Sequence, residues 1–252
     1  MTRRIAAALT AGCLAAVGLR AQTLRVAGWS SFESVTGSDD WSTVGAQFTV
    51  ETGHGNAVWV AGERVRRFGA RDLTTRVGSV VHPGERWWIT VEAGTTTEPE
   101  FMPKNLWEVD VAALVAQRAS LGLGYRRRNY VVGPVDFVMP HLTIDVRAVS
   151  WDLRAFISRN PSDRTDAAFF LRATTSLSPR TAAWVLGGAG RESYLVGAAP
   201  GSPVQSLKTV TGAAGLRYNA GSGLTLRMEV DVVRSRPVLS RRGGGIGIER
   251  QF

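Results

Sequence analysis

Three histidines, His54, His82 and His141, are the side chains in this chain best suited to proton transfer near neutral pH. Only His141 has a useful neighbour, because Thr143 lies two residues further on and shares its face in an extended strand. A histidine beside a hydroxyl, oriented by an acid such as Asp145, could activate a nucleophile, although threonine is a poor substitute for serine in that role. No metal or cofactor is expected, since the chain has one cysteine and no paired histidines.

Charged residues that alternate with apolar residues form a larger set with a different chemistry. In 106–117, for example, Glu108 and Asp110 alternate with Trp107 and Val109. Half-buried charges persist when they are paired, and the acids of this stretch are expected to face arginines on the next strand. The set therefore predicts either a structural ladder of ion pairs or the lining of an ion-selective or anion-selective pore. The residues predicted to face such an interior are Glu92, Glu108, Asp110, Arg126, Arg128, Asp145, Arg147, Asp152, Arg154, Arg172, Arg227, Glu229 and Asp231.

The elements that position these residues are strands, because from Leu24 onward strand and turn patterns alternate with no helical period. Each is near the ~9–11 residues that a tilted strand needs to cross a bilayer. Fourteen of them predict an all-β, antiparallel, up-and-down transmembrane barrel of the outer-membrane type, with twelve strands as the alternative. The predicted strands are 24–34, 41–51, 57–68, 72–82, 86–96, 106–117, 120–128, 137–147, 150–159, 165–176, 181–191, 206–218, 223–235 and 243–252.

A soluble periplasmic β-sandwich with a binding function would show the same alternation, so the lengths of the connections are needed to separate the two folds. The connections after even-numbered strands are short, as at 83–85 and 118–119. In a barrel inserted from the periplasm, short turns face the periplasm and longer loops face outward. This parity favours the barrel. The longer connections, all after odd-numbered strands, are 97–105, 129–136, 192–205 and 237–242.

The last ten residues predict the strand that closes this barrel. Phe252, Arg250 and Ile248 alternate with Gln251 and Glu249 up to the chain end, whereas the last residues of soluble domains usually fray. A barrel in lipid leaves no strand edge unpaired, so this strand is expected to pair with the one that begins near Leu24. We expect Phe252 to act as an assembly signal for the barrel-assembly machinery.

Residues 1–21 are predicted to be a cleavable signal peptide, with Arg3 and Arg4 ahead of the apolar run 5–18. Residues 22–252 then form the barrel domain in the cell outer membrane. If Cys13 leaves with the signal peptide, disulfides play no part in the exported chain.

The chain is basic, with 30 Lys and Arg against 21 Asp and Glu, and this charge predicts a partner rich in phosphate. Export favours outer-membrane lipid and lipopolysaccharide over nucleic acid. Guanidinium groups bind phosphate well, so the arginines near the predicted outer rim are expected to contact lipopolysaccharide, with solvated loop charges as the alternative. These residues are Arg66, Arg67, Arg71, Arg241 and Arg242.

Four stretches combine glycines and aromatic residues at strand spacing: VAGW at 26–29, WSTVGAQFTV at 41–50, GLGYRRRNY at 122–130 and WDLRAFISRNP at 151–161. They resemble the YaiO family of outer-membrane β-barrels. The likeness covers nearly the whole chain after the signal peptide. It implies an outer-membrane location, brings no well-defined activity and carries over no catalytic residues.

The function expected from the sequence is passive: a non-enzymatic envelope component, or a narrow pore with a charge-lined lumen. One alternative is an outer-membrane lipid-modifying enzyme that uses His141, because His-Leu-Thr is faintly similar to the His-x-Ser pair of some lipid A deacylases. The other alternative is the soluble periplasmic β-sandwich.

Overall fold

Alternating side chains and short turns divide the chain into fourteen antiparallel strands, so the predicted number is confirmed and the alternative of twelve is wrong. The computed structural model describes residues 23–52, 55–161, 164–195, 204–236 and 239–252; the predicted signal peptide and His54 lie outside the described residues. No helix in these ranges is long and apolar enough to cross a membrane. The strands are β1 (Thr23–Val35), β2 (Trp41–Glu51), β3 (Ala57–Arg67), β4 (Ala70–Gly84), β5 (Trp87–Thr97), β6 (Asn105–Ala116), β7 (Ala119–Tyr130), β8 (Gly133–Val146), β9 (Val149–Arg159), β10 (Thr165–Ser178), β11 (Thr181–Leu195), β12 (Val204–Gly221), β13 (Leu224–Arg236) and β14 (Leu239–Gln251).

The sheet closes on itself through its first and last strands. β1 pairs with β14 in a register that begins with Arg25 opposite Gln251. The backbone N–H of Phe252 donates to the carbonyl of Leu24 at 2.8 Å, and the N–H of Leu24 donates back to Phe252 at 3.3 Å. Every strand therefore has a hydrogen-bonded neighbour on both sides, as a sheet in lipid requires. The predicted closure by the C-terminal strand is confirmed.

The barrel carries its large apolar side chains on the outside. Phe48, Leu123, Val230 and Ile246 all face outward, each with more than half of its surface exposed. The inward-facing positions alternate with these and hold most of the charged side chains, together with a few buried apolar ones such as Met139. This is the inverse of a soluble domain, whose large apolar side chains lie inside. Together with the single closed sheet, it shows that the β-sandwich alternative is wrong.

The two ends of the barrel differ in their connections. One end, which we name the terminal rim, holds the first and last strand ends and the connections 52–56, 85–86, 117–118, 147–148, 179–180 and 222–223. The opposite end, the loop rim, holds the connections 36–40, 68–69, 98–104, 131–132 and 160–164. Two further connections at the loop rim, 196–203 and 237–238, lie outside the described residues. Five of the six connections at the terminal rim have two residues, which agrees with the predicted parity.

Two of the long connections predicted for the loop rim are shorter than the sequence indicated. β7 and β8 continue to Tyr130 and Gly133, so that 129–136 contains only a two-residue turn. Gly133 enters β8 with a φ of 128°, a conformation that the missing Cβ makes accessible. β14 begins at Leu239, so Arg241 and Arg242 belong to a strand and not to a loop.

Candidate functional site in the barrel interior

Ion pairs between neighbouring strands run around the interior wall. Arg126 of β7 donates from Nε to Glu108 of β6 at 2.5 Å, and Arg227 of β13 pairs with Glu249 of β14 at the same distance. Such pairs satisfy the charges of the largely buried carboxylates Glu108 and Glu249, and they tie adjacent strands together. The other pairs within the interior are Arg25–Glu51, Arg25–Glu249, Arg76–Glu63, Arg76–Glu92, Arg154–Asp152 and Arg241–Glu33.

The charged residues that the sequence assigned to the interior follow the strand alternation and register, with one exception. The predicted position of Arg147 on a strand is wrong. Arg147 lies in the two-residue connection 147–148 and has a φ of 55°. The inward-facing members of the set are Glu92, Glu108, Asp110, Arg126, Arg128, Asp145, Asp152, Arg154, Arg172, Arg227, Glu229 and Asp231.

Five of these interior charges, Arg172 among them, differ from the rest in their partners. Arg128 lies over the ring of Phe137, with its guanidinium carbon 5.4 Å from the ring centroid. Its Nε is buried and has no hydrogen-bond partner. Glu229 and Asp231 of β13 form no ion pair with any described residue, and neither does Asp145 near the terminal rim. The interior therefore combines paired charges with charges that can interact with ions in the lumen.

Arg172 of β10 adds a second arginine of this kind. Its guanidinium carbon lies 4.5 Å from the centroid of the Trp184 ring, the side chain is exposed to the lumen, and it makes no ion pair with a described residue. Cation–π contact orients an arginine without neutralising it. β10 lies three strands from β7 in the closed sheet of fourteen.

His141 is buried in the wall and pairs with an acid other than the predicted one. Its Nε2 lies 3.0 Å from an oxygen of Asp110, and its exposed fraction is 7%. The hydroxyl of Thr143 donates to Asp152 at 3.1 Å. Asp145 is further along β8, opposite Ser150. The arrangement required by the His141 enzyme hypothesis, with Thr143 as nucleophile and Asp145 as orienting acid, is therefore not formed.

Inward-facing rings lie flat over glycines on the neighbouring strand. Trp59 covers Gly78, and His141 covers Gly122, in each case directly opposite in the register. A Cβ added to either glycine would overlap the ring. These glycines let large side chains lie against the wall, so that the rings fill the interior without blocking its axis. The other pairs of this type are Trp29 over Gly45, Phe170 over Gly188 and Trp184 over Gly215.

The arginines expected to contact lipopolysaccharide divide between the two faces of the sheet. Arg66, Arg71 and Arg242 face outward and are exposed. Arg67 and Arg241 face inward, where both guanidinium groups lie over Trp41, at 4.6 Å and 5.3 Å from its ring centroid, and Arg241 pairs with Glu33. Adjacent residues of a strand point to opposite faces, so consecutive arginines cannot both lie outside. The placement of Arg67 and Arg241 at the outer surface is therefore wrong.

The connection 98–104 folds into the interior at the loop rim. The carboxylate of Asp72, only 1% exposed, accepts hydrogen bonds from the backbone N–H groups of Glu100, Phe101 and Met102 at 2.9, 3.0 and 2.6 Å. The hydroxyl of Thr96 donates to the carbonyl of Pro103 at 2.7 Å. We name this arrangement the Asp72 latch. The Asp72 latch holds the connection against the inner wall. Its hydrogen bonds replace those that water would otherwise make to these backbone groups.

Apolar packing supports the Asp72 latch. Phe101 is buried against Val65 and Ala70, which are inward-facing residues of β3 and β4. Phe68 lies between two aromatic rings, with centroid distances of 6.4 Å to Phe101 and 5.1 Å to Trp41. The latched connection therefore narrows the lumen at this rim with an apolar cluster.

A cavity of about 870 Å³ occupies the interior below this cluster. Its wall includes Ser150, Asp152, Arg154, Phe156 and Ser158, the successive inward-facing residues of β9. This part of the strand is about 26 Å long, at about 3.3 Å per residue, so the cavity runs from near the terminal rim to near the loop rim. A second cavity of about 350 Å³ lies against β1, β13 and β14.

Several interior residues were missed by the sequence reasoning, for two different reasons. Glu63 was obscured because the inner face of β3 also carries Trp59, Ala61 and Val65, which weakens the polar–apolar alternation. Asp72 gave no signal at all, since its partners are backbone groups about thirty positions later in the chain. The others are Arg25, Glu33, Glu51, Arg76 and Glu249. Among the described residues, no group of three or more His, Cys, Asp or Glu side chains could hold a metal ion.

Solved outer-membrane barrels share this fold at low sequence identity. The monoaromatic hydrocarbon channel CymD superposes with a TM-score of 0.63 at 8% identity, covering 91% of this chain and 88% of its own. The Acinetobacter baumannii outer membrane protein Omp33 gives 0.57 at 10% identity, covering 92% and 100%. Pseudomonas aeruginosa OpdQ gives 0.52 at 7% identity, covering 91% and 98%. At such identities the likeness concerns the fold alone.

Sequence comparison identifies the family. No curated protein sequence matches the chain significantly. The family model described as the YaiO membrane beta barrel domain matches residues 25–195, which run from β1 to the end of β11 and make up more than half of the chain. The stretches that carry the resemblance noted in the sequence all lie within this range. This chain is an outer-membrane β-barrel protein that belongs to the YaiO family.

Proposed function

We propose that this barrel is a narrow, non-enzymatic pore that favours small anions. The observation that carries the proposal is the cavity along the inward face of β9, from Ser150 to Ser158. A barrel whose side chains only filled it would leave no space of this length, because close packing leaves few voids larger than a water molecule. Ions that enter at the terminal rim could therefore follow β9 almost to the Asp72 latch.

The charge of the cavity wall supports the preference for anions. Seven arginines line it against four acidic residues. Several of these arginines are neutralised by ion pairs, but Arg128 and Arg172 are held only by aromatic rings. Arginines without acidic partners lower the energy of an anion in the lumen and raise that of a cation.

The opposite side of the barrel carries the opposite charge. Glu229 and Asp231 on β13 form no salt bridge with a described residue, although Arg241 is close enough to Asp231 to interact with its charge. β13 lies six strands from β7 in a closed sheet of fourteen. Arg128 on β7 therefore faces these acids across the lumen, whereas Arg172 on β10 lies midway between the two sides. Such a separation produces a field perpendicular to the pore axis, which draws permeating anions towards the arginine side of the lumen. The ion pairs elsewhere in the wall support the other interpretation made from the sequence, a structural ladder.

Planar-bilayer recordings with purified, folded protein test the proposal. In a salt gradient the reversal potential should show a preference for chloride over potassium. The double variant Arg128→Gln and Arg172→Gln should lower that preference, because it removes two unpaired positive charges from the wall. The matched control Arg86→Gln and Arg180→Gln removes the same charge from exposed turns at the terminal rim, and should change it less. Absence of current from folded protein would refute the pore.

The Asp72 latch favours a second candidate, a closed barrel that serves as an envelope structural component. If the apolar cluster of Phe68, Phe101 and Met102 seals the loop rim, the protein conducts nothing in this state. Recordings from a variant whose latch is released separate the two functions. A pore gains conductance over a measurable starting current, whereas a closed scaffold conducts only after the release.

A further inference from the structure

Three arginines form a cluster on the outer surface of β3 and β4 near the loop rim. Arg66 lies directly opposite Arg71, and Arg64 lies opposite Leu73, which makes Arg64 a diagonal neighbour of Arg71. All three side chains are exposed. They point away from the lumen, because the residues that alternate with them, such as Asp72, are buried inside.

This arrangement is unfavourable on its own. Like charges directly opposite each other on one face of a sheet are destabilising, since the Cβ atoms are only about 4.5–5.5 Å apart. None of Arg64, Arg66 and Arg71 forms an ion pair within the part of the chain that the structure describes. Arg127, which also faces outward near this rim, is by contrast paired with Asp136 at 3.6 Å. The cluster therefore needs an anion, and no described residue of the chain supplies one.

The position of the cluster indicates where that anion comes from. Arg64 stands between two outward-facing apolar residues, Leu73 on β4 and Val44 on β2, which are 52% and 58% exposed. Arg66 and Arg71 are one step nearer the loop rim. The guanidinium groups thus lie where the lipid-facing apolar surface ends, at the level of lipid headgroups. Guanidinium forks bind phosphate through paired, charge-assisted hydrogen bonds.

We propose that Arg64, Arg66 and Arg71 bind a phosphate group of lipid A in the outer leaflet of the membrane. One phosphate between Arg66 and Arg71 converts the repulsion of that pair into two attractive contacts. Arg64, one step below, reaches the same group from the acyl-chain side. The proposal places the loop rim at the cell surface, as the even strand number and short turns at the terminal rim predict, and it is independent of whether the barrel conducts ions.

Binding to purified, folded, delipidated barrel tests this site. The probes are bisphosphorylated lipid A, lipid A without phosphates, phosphatidylglycerol and inorganic phosphate, with bound lipid measured by native mass spectrometry. The triple variant Arg64→Gln, Arg66→Gln and Arg71→Gln should bind bisphosphorylated lipid A at least about tenfold more weakly than the wild type. The matched control Arg86→Gln, Arg118→Gln and Arg180→Gln, with the same charge change in turns at the terminal rim, should bind like the wild type.

Each of the other results would overturn the proposal in a different way. Equal binding by the triple variant and the wild type would show that the cluster does not bind lipid A. Equal binding of lipid A with and without phosphates would reduce the contact to apolar packing. Phosphatidylglycerol or inorganic phosphate that binds as tightly as lipid A would make it a general anion site.

A single variant keeps the proposal testable if the triple variant does not fold. Arg66→Gln removes the like-charge contact with Arg71, so in lipid-free detergent it should unfold at the same or a higher temperature than the wild type. After addition of bisphosphorylated lipid A the order should reverse, because only the wild type gains the full phosphate contact. A variant that is less stable without lipid A, or that gains as much as the wild type with it, would contradict the proposal.

Discussion

Replacement of Asp72 by alanine should release the connection 98–104 from the interior wall. The carboxylate accepts three backbone N–H groups at distances between 2.6 and 3.0 Å, and no other acceptor in the described structure replaces it. Alanine leaves these donors unsatisfied in a buried position. The connection can satisfy them only by moving towards the mouth of the barrel, where water reaches them.

The size of the effect follows from the number of hydrogen bonds. A hydrogen bond to a charged group contributes about 1.5–3 kcal/mol, so three of them stabilise the latched state by about 4.5–9 kcal/mol. At about 1.4 kcal/mol for each factor of ten, the ratio of open to latched connection should rise by about a thousandfold or more. Asp72→Asn, which retains one acceptor oxygen but no charge, should give an intermediate increase. The packing of Phe101 against Val65 opposes the release and limits both effects.

A spin label on the exposed Glu100→Cys position reports the release directly, and single-channel conductance reports its consequence. Asp72→Ala should increase the mobility of the label and raise the conductance, while heat-modifiable gel mobility shows that the barrel itself is intact. Asp145→Asn provides the control, because it also removes an inward-facing carboxylate but lies near the terminal rim without a latch partner. If label mobility and conductance are both unchanged in folded Asp72→Ala protein, the latch does not control the lumen.

Two further changes test the wall and the closing strand. Gly122→Ala should destabilise the barrel by about 1–3 kcal/mol, because the new Cβ overlaps the ring of His141. Gly62→Ala is the control, since a Cβ there meets no atom within 4 Å, and equal urea midpoints for the two variants would contradict the steric explanation. Deletion of Phe252 should reduce the membrane-assembled fraction far more than the secreted fraction, as measured by fractionation. Normal assembly without Phe252 would contradict the prediction that Phe252 is an assembly signal.

The number of strands, and the face of the sheet on which each side chain lies, could be predicted from the sequence because both follow from local geometry. Side chains alternate across a strand, and a barrel in lipid requires apolar residues on its whole outer surface, so strands such as β6 and β13 repeat a clear pattern. The same rule, applied to each residue, would have separated Arg66 from Arg67 and Arg241 from Arg242. Their adjacency in the sequence suggested one surface, whereas the pleat of the strand places them on two.

The contacts that shape the lumen could not be predicted in this way. Asp110 meets His141 across β7, the strand that lies between their own strands, and this requires the register of three strands at once. Asp72 meets the connection 98–104 only because that connection folds into the barrel interior. The sequence of residues 98–104 does not by itself indicate whether the connection folds inward or outward. Local patterns define which face a residue occupies, but tertiary register and loop direction decide its partner.

Each ring that lies over a glycine makes the residues tolerated at one strand position depend on the residue opposite it on the neighbouring strand. At Trp59 and Gly78, a larger residue in place of the glycine has no room while the ring is present, and loss of the ring leaves an unfilled hollow over the glycine. Either change alone is harmful, so the two positions are expected to be inherited or replaced as a unit. We therefore expect the five pairs of this type to change in coupled steps on the inside of the barrel. The outward-facing apolar positions have no such partner, so we expect them to change one residue at a time.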